Sequence, residues 1–169
     1  MGEIVISEVP IPESVDAPDA ADFIAAISVR TSVSAHDSGT DDESRPPEEM
    51  LPGWRKQEFE PKKLFVARRD GQVVGRGVAE FRLEEARDTA WLLAEVVPSA
   101  RGQGVGRAIA EHVEAVAREA GKSRAIVYAP CWQVGGERLA APTGFGDVAA
   151  DTPESRLLLS MGYRLEQVE

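Results

Sequence analysis

The stretch "VVPSARGQGVGRAIAEHV", Val96 to Val113, places Gly102, Gly104 and Gly106 between an apolar run and an apolar-periodic segment. Upstream, "TAWLLAEVV" is nearly continuous in apolar residues over a strand's length, which suits a central strand. Downstream, Val105, Ile109, Val113, Val116 and Ala120 recur at helical spacing, and Gly121 supplies a stop. The next segment, "SRAIVYAP", reads as a further strand ended by Pro130. Elements joined this closely form one crossover with its two strands parallel. The glycine amides then cluster at a positive helix N-terminus, where no Cβ obstructs an approaching anion. Arg101 and Arg107 add positive charge at the rim, so the loop suits a phosphate or pyrophosphate. A turn with a purely structural role is the alternative.

Two common phosphate signatures fail here. A P-loop requires Gly-Lys-Ser/Thr, whereas Arg107 and Ala108 follow Gly106, and the "GKS" at Gly121 to Ser123 has Val116 where its first glycine belongs. The dinucleotide fingerprint places Ile109 or Arg107 at its third glycine, and the strand is the fourth in the chain rather than the first. A nucleotide-triphosphate enzyme is disfavoured.

Working outward, "EIVISEVPI" reads as a first strand. "DAPDAADFIAAISVR" reads as a helix, with Asp16 as its cap, Pro18 in its first turn and Phe23, Ile24 and Ile27 on its apolar stripe. The polar "TSVSAHDSGTDDESRPP", about 31–47, is expected to be a flexible surface loop. A short turn-like helix is expected in "EEMLPGWRKQEF", which Pro52 and Gly53 interrupt. "KKLFVARRDGQVVGRGVAEFRL" holds two strand-like runs joined at Asp70-Gly71, a strong hairpin signal. After the fifth strand comes a long loop, "CWQVGGERLAAPTGFGDVAADTP", then a helix in "ESRLLLSMGY" and a closing strand in "YRLEQVE". There is no internal repeat.

The chain has 169 residues, 43% of them hydrophobic, which fits one globular domain. Its net charge of −10, from 29 acidic and 19 basic residues, opposes non-specific nucleic-acid binding. No apolar run is long enough to span a membrane and no secretory signal is visible, so a cytoplasmic protein is expected. The single Cys131 forms no internal disulfide, and no metal-ligand pattern appears. It reads as a small half-buried residue or a reactive thiol.

With these residues in place, "VVPSARGQGVGRAI" resembles the acyl-CoA-binding motif of the GNAT (Gcn5-related N-acetyltransferase) superfamily, Val-x-Pro-x-x-Arg/Gln-x-x-Gly-x-Gly/Ala. Val96, Pro98, Arg101, Gly104 and Gly106 occupy its fixed positions. The order of elements is also similar: strand, helices, a three-stranded meander, motif helix, fifth strand, helix and closing strand. "LLLSMGYRLE" resembles the family's usual ending. The resemblance implies an α+β (α/β) fold with a mixed, mostly antiparallel central sheet of six to seven strands flanked by helices.

It also implies acetyl-CoA as co-substrate, with Val96 and Val97 meeting the pantetheine near a β-bulge at Glu95 to Val97 where strands four and five splay apart. The pyrophosphate would rest on the amides from Arg101 to Gly106, so Arg101, Gly102, Gln103, Gly104, Val105, Gly106 and Arg107 are the remaining expected cofactor contacts. Direct attack by an amine needs a base, and Glu95 is the first candidate, with Glu80 beside it; either also fits a solvated strand residue. His36 and His112 are weaker candidates. The tyrosine that many members carry four residues before Gly-Phe/Tyr is Leu158 here; Tyr163 lies beyond Gly162, and Tyr128 fits a structural role.

The family usually continues past its closing strand with another, which inserts beside strand five. Three explanations fit a chain ending at Glu169: it is the first half of a tandem bacterial protein, a partner such as a second copy supplies the strand, or the last strand pairs differently. The first is favoured, and arginine and alanine abundance beside scarce lysine suits a GC-rich bacterial source. The acceptor site is expected between segments 31–54 and 131–153, with Trp54 and Trp132 as walls or core. The acidic residues Asp41 to Glu43, Glu48 and Glu49 favour a small-molecule amine. Two readings of the whole follow: an active N-acetyltransferase, or a degenerate GNAT module serving as a regulatory or structural half.

Overall fold

The computed structural model describes residues 2–131 and 135–169. The chain separates into two compact units, Met1–Tyr128 and Ala129–Glu169. In the first, strands β1 (Ile4–Glu8), β2 (Lys62–Arg69), β3 (Gln72–Phe81), β4 (Thr89–Val96) and β5 (Arg124–Val127) form one sheet in that order. The first four run antiparallel to their neighbours and β5 lies parallel to β4. Among the described residues the sheet thus has five strands, where six to seven were expected.

Helices α1 (Ala21–Ser38) and α2 (Pro47–Arg55) are followed later by α3 (Val105–Glu119), the helix between β4 and β5. The β2–β3 turn has Asp70 at φ 51° and Gly71 at φ 78°, the left-handed pair that a two-residue hairpin demands. One core gathers Phe23, Ile27, Leu51, Trp54, Leu64 and Val66 between α1, α2 and the sheet. On the other face, Val105, Ile109 and Val113 of α3 are buried to 1% exposure or less. Burying each such side chain stabilises the unit by about 1.5–3 kcal/mol.

α3 lies unusually close to β3. A Cβ on Gly75 would stand 2.7 Å from Ile109 Cδ1 and 2.8 Å from the Glu95 carbonyl oxygen, and one on Gly77 would stand 2.7 Å from Ile109 Cγ2. The two bare positions let helix and sheet meet at the level of the motif helix's first turns.

Several expectations are corrected. Asp16 does not cap α1; the cap position is Ala20, with no side-chain bond, and a series of turns precedes it. Segment 31–47 is only partly a loop, because α1 runs on to Ser38 and stops where Gly39 adopts φ 75° and donates to Ala35 O. The extension is driven by Val29 and Val33, both buried, which continue the stripe begun by Phe23 and Ile27. Trp54 is core rather than pocket wall, at 5% exposure. Trp132 lies outside the described residues.

The second unit holds the hairpin β6 (Arg138–Ala140) and β7 (Asp147–Ala149) and helix α4 (Pro153–Ser160). That hairpin falls inside the long loop expected from sequence. Thr152 caps α4 by accepting from Ser155 N–H. The closing strand does not form: among the described residues Tyr163 to Glu169 pairs with no strand, and Val168 instead packs where a Cβ on Gly146 would come within 2.9 Å of it. Burial pushes the Cys131 thiol up from its ordinary 9.0, against a lowering Ser155 hydrogen bond, with the nearby Glu154 charge adding to the rise. It is therefore held as the thiol at neutral pH, contrary to the reactive reading.

Candidate active site

The motif occupies the junction expected of it. β4 ends at Val96, Pro98–Ala100 make one 3₁₀ turn, and α3 begins at Val105. Gly102 and Gly104 have φ of 73° and 86°, which disfavours any side chain, and a Cβ on either would meet nothing within 4 Å. Gly106 lies inside α3 with no positive φ. The glycines thus bend the chain while the space before them stays open.

Gly104 is the N-cap of α3 and supplies no side-chain cap. The first helical bond runs from Ala108 N–H to Gly104 O at 3.1 Å, so the N–H groups of Val105 and Gly106 precede the helix's own bonding ladder. Arg101, by contrast, donates its own N–H to Pro98 O at 3.3 Å. The amides left to meet an anion therefore run from Gly102 to Gly106, without that of Arg101. They form a nest suited to a pyrophosphate.

Two arginine ties flank this loop. Arg101 donates Nε to Val96 O at 3.1 Å and both terminal nitrogens to Asp37, at 2.9 and 3.1 Å. Its side chain is thus clasped by α1 and by β4 rather than standing at the rim. Arg69 at the end of β2 donates to the side-chain oxygen of Gln103 and to its backbone oxygen. Burial pushes the Asp37 carboxyl up, but the Arg101 fork and the His36 contact outweigh it and hold it below its ordinary 3.8.

The sheet opens beside the loop. β4 and β5 pair from Thr89 with Arg124 only as far as Leu92 with Val127, leaving Leu93 to Val96 with no strand partner on that side among the described residues, where Val96 O instead accepts from Arg101 Nε. Pro130 lacks an N–H and restricts the residue before it, which limits how far β5 extends. The splay needs no bulge at Glu95 to Val97: the β3–β4 register is unbroken from Phe81–Ala90 to Gly75–Val96, and the irregularity lies in the β2–β3 pair, where Ala67 faces Gly75, Arg68 faces Val73 and Val74 is passed over. Val97 N–H donates to Val74 O at 2.9 Å, so by alternation the backbone groups of Val96 and Ala94 point to the open side. Val97's own amide is therefore not available there.

Glu95 stands directly opposite Arg76 across the β3–β4 pair, and Arg76 Nε donates to its Oε2 at 2.7 Å. The arginine side chain is 6% exposed and the glutamate's 20%, so the carboxylate is anchored yet reachable. Glu80 pairs with Trp91, four residues along β4 from Glu95, or roughly 14 Å away. It is not part of the same cluster. His112 packs edge-on against Phe65 at 4.8 Å between ring centroids, and His36 contacts Asp37 from the end of α1. Tyr128, just past β5, is 60% exposed. Leu158 and Tyr163 belong to the second unit, in α4 and just beyond it.

Sequence reasoning missed Asp37, Arg76 and Arg69. The first was placed in a loop, and the other two read as ordinary charged strand residues. For Arg76 the signal was a charge flanked by Gly75 and Gly77 on a strand otherwise apolar at its centre.

Comparisons with known proteins follow the same line. Residues 33–141 match the model of the acetyltransferase (GNAT) family, and the chain belongs to that family. Such proteins use acyl-CoA. No curated protein matches the sequence. Among solved structures it is similar to a tandem GNAT protein from the clavulanic acid biosynthesis pathway, at 18% identity and TM-score 0.64, covering 95% of this chain and 43% of that one. The chain thus spans less than half of that tandem protein. It is also similar to yncA, a putative acetyltransferase from Salmonella typhimurium solved with acetyl-CoA, at 17% identity and TM-score 0.63, covering 95% of this chain and 79% of that one. The GNAT domain of S. lividans PAT follows at 18% identity and TM-score 0.60, covering 96% and 82% of the two chains. At these identities the structures share the fold. No helix among the described residues is long and apolar enough to cross a membrane.

Proposed function

We propose that this chain is an acetyl-CoA-dependent N-acetyltransferase that acetylates a primary amine of a small molecule by direct attack. The observation that carries the reading is one junction where three features meet: the Gly102–Gly106 amide nest, the uncapped start of α3, and a β4 edge released after Leu92. A pyrophosphate fits the nest, and an extended pantetheine fits the open edge at Ala94 and Val96 as an added strand would. Bound acetyl-CoA would supply an acetyl group already activated as a thioester. Glu95, clasped at Oε2 by Arg76, is held on the strand that borders the splay and takes a proton from the acceptor's ammonium, freeing the amine to attack the thioester carbonyl; the amide C–N bond forms as the C–S bond breaks, and CoA leaves as a thiolate that solvent protonates. The backbone of β4 orients the acceptor's approach, and the net charge of −10 favours a cationic one.

Isothermal titration with acetyl-CoA, beside free CoA and ATP, tests the cofactor. Micromolar binding of acetyl-CoA without ATP binding supports the reading, and no binding to any of them defeats it. Glu95→Gln should lower turnover about 100-fold while sparing acetyl-CoA affinity; equal turnover removes Glu95 from the mechanism.

A second reading, a degenerate module that binds acyl-CoA without turnover, is favoured by Leu158 at the tyrosine position. Thiol release from acetyl-CoA across a panel of primary amines separates the two. We further read the whole chain as one GNAT domain of a bacterial, cytoplasmic protein, joined to a second GNAT domain or to a second copy that completes the sheet beside β5. Similarity to a tandem protein supports the first arrangement, and the position of β5 at the end of the strand order fits either one.

A further inference from the structure

We propose that Asp37, on α1, is a positioning residue of the cofactor nest, acting through Arg101 to hold the Gly102–Gly106 amides in their anion-binding arrangement. The inference rests on the acetyl-CoA reading above and adds to it a residue outside the motif, 64 positions from its partner.

The geometry carries the argument. Arg101 is the last residue before the loop turns through two left-handed glycines, and its backbone is extended at φ −70° and ψ 157°. Its guanidinium makes three bonds in a planar fork: Nε to Val96 O, and the two terminal nitrogens to the two Asp37 oxygens. One side chain thereby ties the end of β4, the start of the glycine loop and the last turn of α1 together. The Asp37 and Arg101 side chains are 14% and 24% exposed, so the pair is shielded from most screening. On the loop's other side Arg69 holds Gln103. Glycine-rich backbone loses much conformational freedom on being ordered, and a loop fixed before the ligand arrives does not lose it again on binding.

The charges fit this role and oppose a simpler one. A bare carboxylate beside an anion site would repel a pyrophosphate, but both Asp37 oxygens are bonded to Arg101, and Oδ1 also meets His36 Nδ1 at 2.9 Å. A competing arrangement gives Asp37 the opposite effect, in which it withholds Arg101 from the phosphates. The two make opposite predictions for the same variant.

Acetyl-CoA affinity is measured by titration for the wild-type chain, Asp37→Asn, Asp37→Glu, Arg101→Gln and the Asp37→Asn/Arg101→Gln double variant. We expect Asp37→Asn to bind about tenfold more weakly, Asp37→Glu to recover part of the loss, and the double variant to bind no worse than the weaker single. Amide hydrogen exchange without ligand supplies the readout that a merely structural role would not give. Faster exchange confined to residues 102–106, with β2 and β3 unchanged, is expected. Unchanged affinity in Asp37→Asn, tighter binding, or exchange that quickens throughout the sheet each overturns the inference. Asp37→Glu, which keeps the charge, carries the test if the asparagine variant unfolds. A wild-type chain that binds no acetyl-CoA defeats the underlying functional reading instead.

Discussion

Two pairs of glycines with the same spacing, Gly75/Gly77 on β3 and Gly102/Gly104 before α3, are bare for opposite reasons. The strand pair has ordinary extended backbone that any residue adopts, yet a Cβ there would strike Ile109 at 2.7 Å. The loop pair has open space around it but φ of 73° and 86°. One pair is required by what packs against it and the other by how the chain must turn. Together they place the motif helix close to the sheet and free the amides at its start. A glycine motif thus combines a packing contribution and a conformational one, and only the second is visible in the motif's own letters.

The strongest way to break this comparison is to fill the strand position. Gly75→Val should destabilise the chain by about 3 kcal/mol, since the collision includes the rigid Glu95 carbonyl as well as Ile109. Chemical denaturation checks this, and a change below about 1 kcal/mol would mean that α3 shifts freely. At the loop, Gly104→Ala meets no neighbour, so its cost is conformational, about 1–2 kcal/mol, with acetyl-CoA affinity reduced as the Cβ covers the nest. A loss in stability equal to that of Gly75→Val would erase the distinction.

The smallest effect concerns the tie that holds the loop. Because the Asp37 carboxyl is held below 3.8 in the fold, its ion pair stabilises the protein above that value and is lost as pH falls through the folded value. The melting temperature of the wild type should therefore exceed that of Asp37→Asn at neutral pH, with the gap closing below 3.8. A gap that persists at low pH would assign the tie to packing rather than charge.

Much of the site was legible because its residues are contiguous. Val96 to Val113 specify strand, turn and helix locally, and the Asp70-Gly71 hairpin and the β4–α3–β5 crossover followed from letters alone. What escaped was non-local. His36 and Asp37 read as loop because polar residues surround them, whereas the buried faces of Val29 and Val33 carry α1 past them. The carboxylate of Glu95 was singled out by position, but its clasp by Arg76 depends on the β3–β4 register. The closing strand misled for the same reason: "YRLEQVE" alternates suitably, yet a strand needs a partner edge, and Val168 packs against the Gly146 turn instead.

The sequence by itself determined the order of elements, the family motif and the left-handed turns, because backbone preference and hydrophobic period act over a few residues. Tertiary structure alone decided that Arg101 meets Asp37, that Arg76 meets Glu95, and that β5 leaves β4 after Leu92. Those outcomes depend on which distant segments share a face and a register. Packing sets that, and no local preference encodes it.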